Sequence, residues 1–372
     1  MKLGIVPSLF VFCLVLSACG AGGGRRAATV VAAVAPDTAV VETPQPVAEV
    51  FSVALTGDIM MGTTYPDTLL PAGDGRALFV DVRDILASAD LAVGNLEGTL
   101  CDSAATRKRK SEHSYSFRTP VRFAARLKEA GYDYLSLANN HTFDFGYDGM
   151  LSTEKALDGQ GISYSGIRHR QESVVLECGG IRYGLCSFGH NAHTLRHQEL
   201  SKVREVLDSL RSRADVVVVS FHGGGEGMAF SHLPDSTEVF LGENRGSLRR
   251  FARFCIDNGA DIVFGHGPHV VRCVEMYKNR FIAYSLGNFC TPYSISIAGI
   301  SGYAPVIVVD TDRRGKFLGG RIYPFVQRRG LGPRRDTSNV VIRHIRMLTE
   351  ADVFGGRLEI SGDGRITPVE NK

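Results

Sequence analysis

The sequence predicts an α/β fold in which strands and helices alternate along one large folded region. Of the 372 residues, 44% are hydrophobic and 22% are charged, a composition that excludes a disordered chain. From about Val50 onward, apolar strand-like runs alternate with amphipathic helix-like stretches, which is the pattern of a layered α/β protein. Six of the apolar runs end in glycine and polar side chains, so the strand ends are where we expect a functional site.

The first 18 residues are predicted to be a signal peptide. Lys2 precedes an apolar stretch over residues 9–16, which is too short to span a bilayer. Two small residues directly precede Cys19, and this segment resembles the lipobox of bacterial lipoproteins, in which the cysteine becomes the lipidated first residue. The alternative is an ordinary signal peptide with a chance cysteine. We expect an exported bacterial lipoprotein, anchored at Cys19 to the membrane on the periplasmic or outer surface.

The remaining chain is predicted to have three parts. Residues 19–49 comprise Cys19 and a flexible tether rich in Gly, Ala, Pro, Val and Thr. Residues 50–326 form the folded domain, and residues 327–372 form a C-terminal extension packed on it.

The secondary structure is predicted in order along the chain. The strand-like runs end at Asp58, at Asn95 and Glu97, at Asn139, Asn140, His141 and Asp144, at His222 and Glu226, at His266 and His269, and at Asn288. Amphipathic helices are predicted near residues 76–88, 120–130, 147–159, 198–212 and 238–258. Farther on, we expect a hairpin within residues 304–327 that extends a sheet, a helix over 340–354 and a hairpin turn at Asp363-Gly364.

Each polar strand end also has a purely structural explanation. Asp58 can cap a helix, Asn140 can occupy a left-handed turn, and His222 can be a hydrogen-bonded core histidine. Because carboxyl ends of parallel strands meet at one edge of a sheet, six such ends in succession favour one common polar site.

The residue types at these ends point to a metal site. Asp, Asn, Glu and His, without Cys, are suited to Mn²⁺, Fe, Zn²⁺ or Mg²⁺. A pair of such ions is the usual device for phosphoester cleavage. The chain has no CxxC pair to suggest a cysteine zinc site, and its net charge of +3 is too small to indicate nucleic acid as the main partner.

The order of the motifs resembles that of the calcineurin-like metallophosphoesterases, with two departures. That superfamily opens with Asp-x-His, whereas Asp58 is followed by Ile59 and Met60. Its second motif is Gly-Asp, whereas this chain has GNLEG at 94–98.

With these departures, the set of motifs resembles that of a narrower family, CapA, whose named members act in synthesis or export of capsular poly-γ-glutamate. The resemblance covers about residues 50–290 and rests on TGDIMMG (56–62), GNLEG (94–98), LANNHTFDFG (137–146), HGGGE (222–226), GHGPHV (265–270) and YSLGNF (284–289). It implies a metallophosphatase-like four-layer α-β-β-α sandwich with two mixed sheets. It also implies one or two divalent metal ions, with Mn, Fe, Zn and Mg all left open.

The family motifs assign roles to individual residues. The implied metal ligands are Asp58, Asn95, Glu97, Asn140, His222, His266 and His269. The implied catalytic residues are His141, placed like the acid that protonates a leaving group, together with Asp144 and Glu226. Glu226 is alternatively a ligand or a residue that orients one.

Two positions differ from the commonest family form, and they bear on a second metal ion. Gly223 stands where Trp is usual, and Gly267 stands where the first His of Gly-x-His-Pro-His is usual. Whether His266, one residue earlier, takes the place of that histidine is left open by the sequence.

Several further features have two interpretations each. The basic run at 107–110 is either a solvated loop or a rim that attracts a polyanion, and Arg328, Arg329, Arg334 and Arg335 form an equally ambiguous cluster. His190, His193 and His197 belong to a loop near the crevice or, alternatively, to a second metal site. No disulfide is predicted among the six cysteines beyond Cys19.

The sequence therefore supports two main functions. One is an enzyme with a metal-dependent hydrolase site, acting on a phosphoester or an amide-linked envelope polymer. The other is a non-catalytic accessory that binds the polymer and aids its export. A 5′-nucleotidase-like phosphoesterase is a third alternative. The implied partners are the membrane, an anionic polymer such as poly-γ-glutamate or an envelope glycan, and capsule-synthesis membrane proteins.

Overall fold

Two mixed β-sheets organise the chain. The structure, a computed structural model, describes residues 49–106, 115–355 and 357–369. The predicted signal peptide, Cys19, the tether up to residue 48 and the basic run at 107–110 lie outside the described residues.

The strands and helices are numbered in chain order. The strands are β1 (Phe51–Ile59), β2 (Leu91–Leu96), β3 (Thr99–Leu100), β4 (Arg118–Thr119), β5 (Tyr134–Ser136), β6 (Ser163–Ser165), β7 (Ser173–Cys178), β8 (Ile181–Phe188), β9 (Val216–His222), β10 (Glu238–Phe240), β11 (Glu243–Gly246), β12 (Ile262–His266), β13 (Val274–Tyr277), β14 (Arg280–Ala283), β15 (Asn288–Cys290), β16 (Val306–Thr311), β17 (Phe317–Tyr323), β18 (Phe325–Arg328), β19 (Gly332–Arg335), β20 (Leu358–Ile360) and β21 (Arg365–Pro368). The helices are α1 (Arg83–Ser88), α2 (Ala124–Ala130), α3 (Gly146–Asp158), α4 (Leu200–Arg211), α5 (Leu248–Asp257) and α6 (Val340–Asp352).

The two large sheets have different strand orders. The first has nine strands in the order β20-β21-β17-β16-β1-β2-β5-β6, with β15 also paired to β1. The second has six strands in the order β13-β14-β12-β9-β8-β7. Both contain parallel and antiparallel pairs, for example β1 with β2 and β1 with β16, or β9 with β12 and β7 with β8. The predicted mixed sheets are confirmed.

Three hydrophobic clusters show how the layers stack. Side chains such as Val53 of β1 and Val218 of β9 pack between the two sheets. Leu127 of α2 belongs to a second cluster on the outer face of the nine-stranded sheet. Leu207 of α4 and Phe251 of α5 belong to a third, on the outer face of the six-stranded sheet. The arrangement is the predicted four-layer α-β-β-α sandwich.

The predicted C-terminal elements are present, and two predicted helices are partly wrong. In the predicted helix 76–88, only Arg83–Ser88 is α-helical. The hairpin β16–β17 extends the nine-stranded sheet through β1, and β20–β21 joins the same sheet through β17. Residues 238–258 are not one helix, because only Leu248–Asp257 is helical and the first part forms the hairpin β10–β11. Gly242 and Gly246 adopt positive φ values of 78° and 91° there, which a helix does not allow.

Two further observations concern membrane spans and cysteines. No helix in the described part of the chain is long and apolar enough to cross a membrane. The six cysteines between Cys101 and Cys290 are all free, and five of them are buried. They pack as small hydrophobic side chains.

A buried ion pair holds the segment that follows β9. The Arg272 guanidinium is fully buried and donates two hydrogen bonds to Glu238, at 2.8 and 2.7 Å. Glu238 Oε2 also accepts a hydrogen bond from the backbone N–H of Gly225, and Arg272 Nε donates one to the carbonyl of Phe230. The pair therefore fixes the glycine-rich turn beyond His222.

Replacing Arg272 with methionine is expected to lower the free energy of unfolding by about 3–5 kcal/mol, because it leaves the Glu238 carboxylate buried without its counter-charge. Urea denaturation of the purified protein measures the change. The double variant Arg272→Met/Glu238→Gln is the control, and it is expected to recover much of the loss. Equal losses in the single and double variants would contradict this account.

Candidate functional site

Strand register brings the first set of predicted ligands together in the nine-stranded sheet. The parallel pairing of β1 with β2 aligns Asp58 with Asn95. The chain leaves the six-stranded sheet after β14 and re-enters beside β1 as β15, where Asn288 is aligned with Asp58. Three polar side chains from three strands thus meet at one edge, and all three are fully buried.

The second set comes from the six-stranded sheet. The parallel pairing of β9 with β12 aligns His222 with His266, the last residue of each strand. Both imidazoles are fully buried. The convergence expected at the carboxyl ends of parallel strands is present in both sheets.

Asp58 is the point where the two sheets make polar contact. Its Oδ1 accepts a hydrogen bond from Asn95 Nδ2 at 2.9 Å and lies 3.2 Å from His266 Nδ1. Its Oδ2 lies 3.0 Å from His269 Nδ1. Burial raises the pKa of Asp58, but the two imidazoles outweigh it and hold the pKa well below its ordinary value. Burial lowers the pKa of His269, yet the Asp58 carboxylate raises it to about 9.

Glu97 forms a second anionic point beside Asp58. Its Oε2 accepts a hydrogen bond from Asn95 Nδ2 at 2.6 Å, and its Oε1 lies 3.3 Å from His222 Nε2. Burial raises the pKa of Glu97, but the charge of His222 contributes to lowering it to about 2. Asn95 contacts both carboxylates, so it links the two halves of the site.

His141 and Asp144 form a dyad next to Glu97. His141 Nδ1 lies 2.9 Å from Asp144 Oδ2, and this oxygen also accepts a hydrogen bond from the backbone N–H of Phe117 at 2.8 Å. The Phe117 ring packs against the imidazole with centroids 4.4 Å apart. His141 Nε2 is on the Glu97 side, 3.8 Å from Oε1. Asp144 and Phe117 therefore fix the orientation of the His141 ring.

Several buried polar atoms at this site make no hydrogen bond. They are Glu97 Oε1, Asn140 Oδ1, both ring nitrogens of His222 and both ring nitrogens of His266. Burying such atoms unpaired costs about 1–3 kcal/mol each. Two donors bound to one ion at about 2.1 Å lie roughly 3.0–3.4 Å apart, and the contacts of His222 with Glu97 (3.3 Å) and His266 with Asp58 (3.2 Å) fall in this range. The donor set therefore fits a divalent metal ion in its chemistry and its spacing.

The distances that fit a metal ion join pairs of residues, and these pairs do not make a complete set of ligands around one ion. Among the described residues, no group of three or more His, Cys, Asp or Glu side chains is arranged to hold a metal ion. Amide oxygens such as that of Asn140, which metal ions of the magnesium and manganese type accept, are what the pairs would need in addition.

Glu226 makes its ion pair with Arg245 and not with a site histidine, although its charge contributes to the raised pKa of His269. Its carboxylate binds the Arg245 guanidinium at 2.9 Å, and Arg245 also binds Glu243 at 2.9 Å. The Arg245 side chain is only 5% exposed, so Glu226 serves to pair a nearly buried cation. Sequence alone gives no sign of this contact, because Arg245 lies in the hairpin that is predicted as a helix.

Two site residues are not among the predicted ligands. Asn139 donates to Asn95 Oδ1 at 3.0 Å and to the carbonyl of Leu96 at 2.8 Å. Asn288 Oδ1 lies 3.1 Å from His269 Nδ1. Both residues end predicted strands, which is the available signal, but the family motif directs attention to Asn140 instead of Asn139.

Replacing Asn139 with alanine is expected to weaken metal binding about 10–100-fold, as loss of a group that orients ligands commonly does. The reason is that Asn95 loses the partner that turns its Nδ2 toward both carboxylates. Competition with a chelating dye measures the affinity. Asn258→Ala, which removes a side-chain bond to a helix carbonyl of α5, is the matched control, and equal affinities in the two variants would contradict the role of Asn139.

Backbone contact explains the two glycines that depart from the family form. Gly267 has a φ of 114°, and a Cβ there would lie 2.4 Å from the carbonyl oxygen of Gly223. A Cβ at Gly223 would in turn lie 2.7 Å from the carbonyl oxygen of Arg245 and 2.9 Å from His197 Nε2. The two positions are in contact with each other, so the departures belong together. His266 faces Asp58, with its Nδ1 3.2 Å from Oδ1.

The three histidines after β8 do not form a second metal site among the residues that the structure describes. His190 packs on His222 with ring centroids 5.6 Å apart, and His193 stacks on Phe143 instead. Burial lowers the pKa of His190 to about 2 and that of His197 to about 3, so both are neutral. His190 borders the site through His222, whereas His193 and His197 make their contacts elsewhere.

Comparison with protein families and curated proteins gives consistent matches. The family model described as "Bacterial capsule synthesis protein PGA_cap" matches residues 52–293. The capsule biosynthesis protein CapA of Bacillus anthracis is 28% identical over 259 residues, which are 65% of this chain and 60% of that protein. The PGA biosynthesis protein CapA of Bacillus subtilis (strain 168) is 28% identical over 256 residues, 65% of this chain and 63% of that protein. The chain thus spans about 60% of the length of these relatives.

Solved structures give weaker similarities. A novel phosphatase from Mycoplasma pneumoniae aligns with 13% identity and a TM-score of 0.47, covering 75% of this chain and 95% of that one. A 5′-nucleotidase precursor from Thermus thermophilus aligns with 12% identity and a TM-score of 0.42, covering 82% of this chain and 59% of that one.

Proposed function

Because this chain belongs to the PGA_cap family of bacterial capsule synthesis proteins, we propose that it is a cell-envelope protein with a metal-dependent hydrolase site. It would cleave or transfer a phosphoester or amide link during synthesis or export of capsular poly-γ-glutamate or a related polymer. The observation that carries the proposal is that buried polar atoms of Glu97, Asn140, His222 and His266 make no hydrogen bond, while His222 faces Glu97 and His266 faces Asp58.

The residues that would hold the metal fall into two groups. In one, Asp58 pairs with His266 through Oδ1 and with His269 through Oδ2, and in the other Glu97 pairs with His222. Asn95 and Asn140 are the amide residues beside them. A bound divalent ion supplies positive charge that activates water and stabilises the leaving oxygen. The Asp58 carboxylate favours positive charge beside it, and it raises the pKa of the neighbouring His269 for the same reason.

The dyad of His141 and Asp144 would supply the proton. Asp144 accepts from His141 Nδ1, so the tautomer and the ring orientation are set, and Nε2 is the atom available on the Glu97 side. When Nε2 also carries a proton, an imidazole held in this way can pass that proton to a leaving group in the crevice and become neutral. Asp144 is a positioning residue in this scheme.

The proposed location is the periplasmic or outer surface of the membrane. It is supported by the apolar leader and by Cys19, which would carry the lipid anchor. The membrane, an anionic polymer or envelope glycan, and capsule-synthesis membrane proteins are the proposed partners.

Metal analysis of the purified full chain tests the proposal. We expect Mn, Fe, Zn or Mg in at least equimolar amount, and hydrolysis of one member of a panel containing phosphomonoesters, phosphodiesters, nucleotides and γ-glutamyl oligomers. Chelation is expected to abolish the turnover, and re-addition of the metal is expected to restore it. A chain that neither retains a metal nor regains activity with any of the four metals would refute the hydrolase.

A second candidate is a polymer-binding accessory without catalysis. It is favoured by the absence, in the described residues, of a complete three-ligand group of His, Cys, Asp and Glu. The same panel separates the two functions: polymer binding without turnover, at full metal content, supports the accessory.

A further inference from the structure

A cavity of about 300 Å³ lies beside the loop that carries Asn140 and His141. Its walls include Phe143, Tyr147 and His193. This volume is at the lower end of the range of roughly 300–1,000 Å³ found for small-molecule sites, so it suits one ring-sized group.

Aromatic rings form one side of this cavity and are partly exposed to solvent. Phe143 stacks on His193 with centroids 3.6 Å apart, and Tyr147 packs edge-on against Phe143 at 5.0 Å. Tyr147 is nevertheless 64% exposed, and Leu151, one helical turn farther along α3, is 43% exposed. Large apolar side chains grouped at the surface in this way indicate a binding surface.

The polar rim of the cavity is formed by two arginines that are each paired with a carboxylate. Arg168 binds Glu199 at 2.5 Å, and Arg170 binds Glu154 through two hydrogen bonds. Both guanidinium groups are therefore compensated, and their remaining N–H groups can donate to neutral oxygen atoms. A chain with a carboxylate on every residue, such as poly-γ-glutamate, has no ring for the aromatic wall, and these paired arginines hold little net charge to attract it.

We propose that this cavity binds one sugar ring of an envelope polysaccharide. The apolar face of the ring would pack on Tyr147 and His193, and its hydroxyl groups would accept hydrogen bonds from Arg168 and Arg170. Naming the polymer rests on the proposed envelope function, whereas binding itself does not depend on catalysis.

The walls of the cavity are connected to the loop that carries Asn140 and His141. Phe143 lies two residues beyond His141, and Asn191, in the loop that carries His193, donates to the backbone carbonyl of Asn139 at 2.9 Å. A sugar ring in the cavity would therefore lie next to the loop that carries Asn140 and His141.

A single-tryptophan variant tests this directly. The chain contains no Trp, so Tyr147→Trp makes the cavity the only source of tryptophan fluorescence. We expect a saturable spectral change with a tetrasaccharide of N-acetylglucosamine, glucose or glucuronic acid, and none with a γ-glutamyl tetramer. Calorimetric titration of the wild-type full chain then gives the affinity, which Tyr147→Ala and His193→Ala are each expected to weaken at least tenfold. Phe354→Ala removes a side chain that is 88% exposed elsewhere and is expected to leave the affinity unchanged.

Three results would overturn the proposal: no saturable change with any of the three tetrasaccharides, binding of the γ-glutamyl tetramer in their place, or unchanged affinity in both alanine variants. Repeating the titration with Asp58→Asn separates this proposal from the hydrolase. Sugar binding is expected to persist there even though the metal is lost.

Discussion

Replacing Asp58 with asparagine is expected to remove most of the bound divalent metal and, with it, hydrolytic activity. The substitution keeps the size of the side chain but deletes the negative charge on which Asn95, His266 and His269 converge. Loss of a group that merely orients a ligand costs about 10–100-fold in metal affinity, so loss of a ligand is expected to cost at least about 100-fold. Metal content after gel filtration, measured by mass spectrometry, checks the result.

A carboxylate at the opposite end of the same strands provides the control. Asp90 accepts hydrogen bonds from the backbone N–H and the hydroxyl of Ser52 at the start of β1. Asp90→Asn removes the same charge from the same sheet, and it is expected to leave metal content unchanged. Full metal occupancy in Asp58→Asn, with the circular dichroism of the wild type, would show that Asp58 is not a ligand.

His222→Ala tests the second half of the site independently. His222 contacts Glu97 from the other sheet, and its ring nitrogens make no hydrogen bond whose loss would unfold the protein. If two ions bind, this variant is expected to lose one equivalent while Asp58→Asn loses the other or both.

Sequence reasoning predicts the site best where strand register determines it. Asp58 and Asn95 lie one residue before the ends of their strands, and His222 and His266 end theirs. Parallel pairing places Asp58 opposite Asn95 and His222 opposite His266. The position of a side chain at the end of a buried parallel strand follows from local pattern alone. The four-layer sandwich is likewise predictable, because it needs only the alternation of strands and helices together with the family motifs.

Contacts that depend on loops are not predictable in this way. The pairing of Glu226 with Arg245 depends on the β10–β11 hairpin, whose residues also have a helical hydrophobic pattern. The place of Asn288 beside Asp58 depends on the chain crossing from one sheet to the other after β14. The hydrophobic periodicity of a single segment predicts neither the hairpin nor the crossing, because both depend on contacts with residues far away in the chain.

The glycine at position 267 is such a long-range constraint, and it leads to the second large effect. Restoring the family histidine with Gly267→His is expected to damage the site rather than add a ligand. Its Cβ would meet the Gly223 carbonyl oxygen at 2.4 Å, at a φ of 114° that side chains rarely adopt. Backbone strain of about 1–3 kcal/mol and overpacking of about 1–3 kcal/mol together predict a loss of about 2–6 kcal/mol in unfolding free energy.

Gly267→Ala and Gly227→Ala separate the two causes. Gly227 also has a positive φ, 93°, but nothing lies within 4 Å of a Cβ placed there. Gly227→Ala is therefore expected to lower the free energy of unfolding only through backbone strain, by about 1–3 kcal/mol. Gly267→Ala is expected to lower it by the larger sum of strain and overpacking. Urea denaturation measures both, and metal content of Gly267→His is measured beside them. Because His266 already occupies the position facing Asp58, a stable Gly267→His protein that binds an additional metal ion would show that His266 does not replace the missing family histidine.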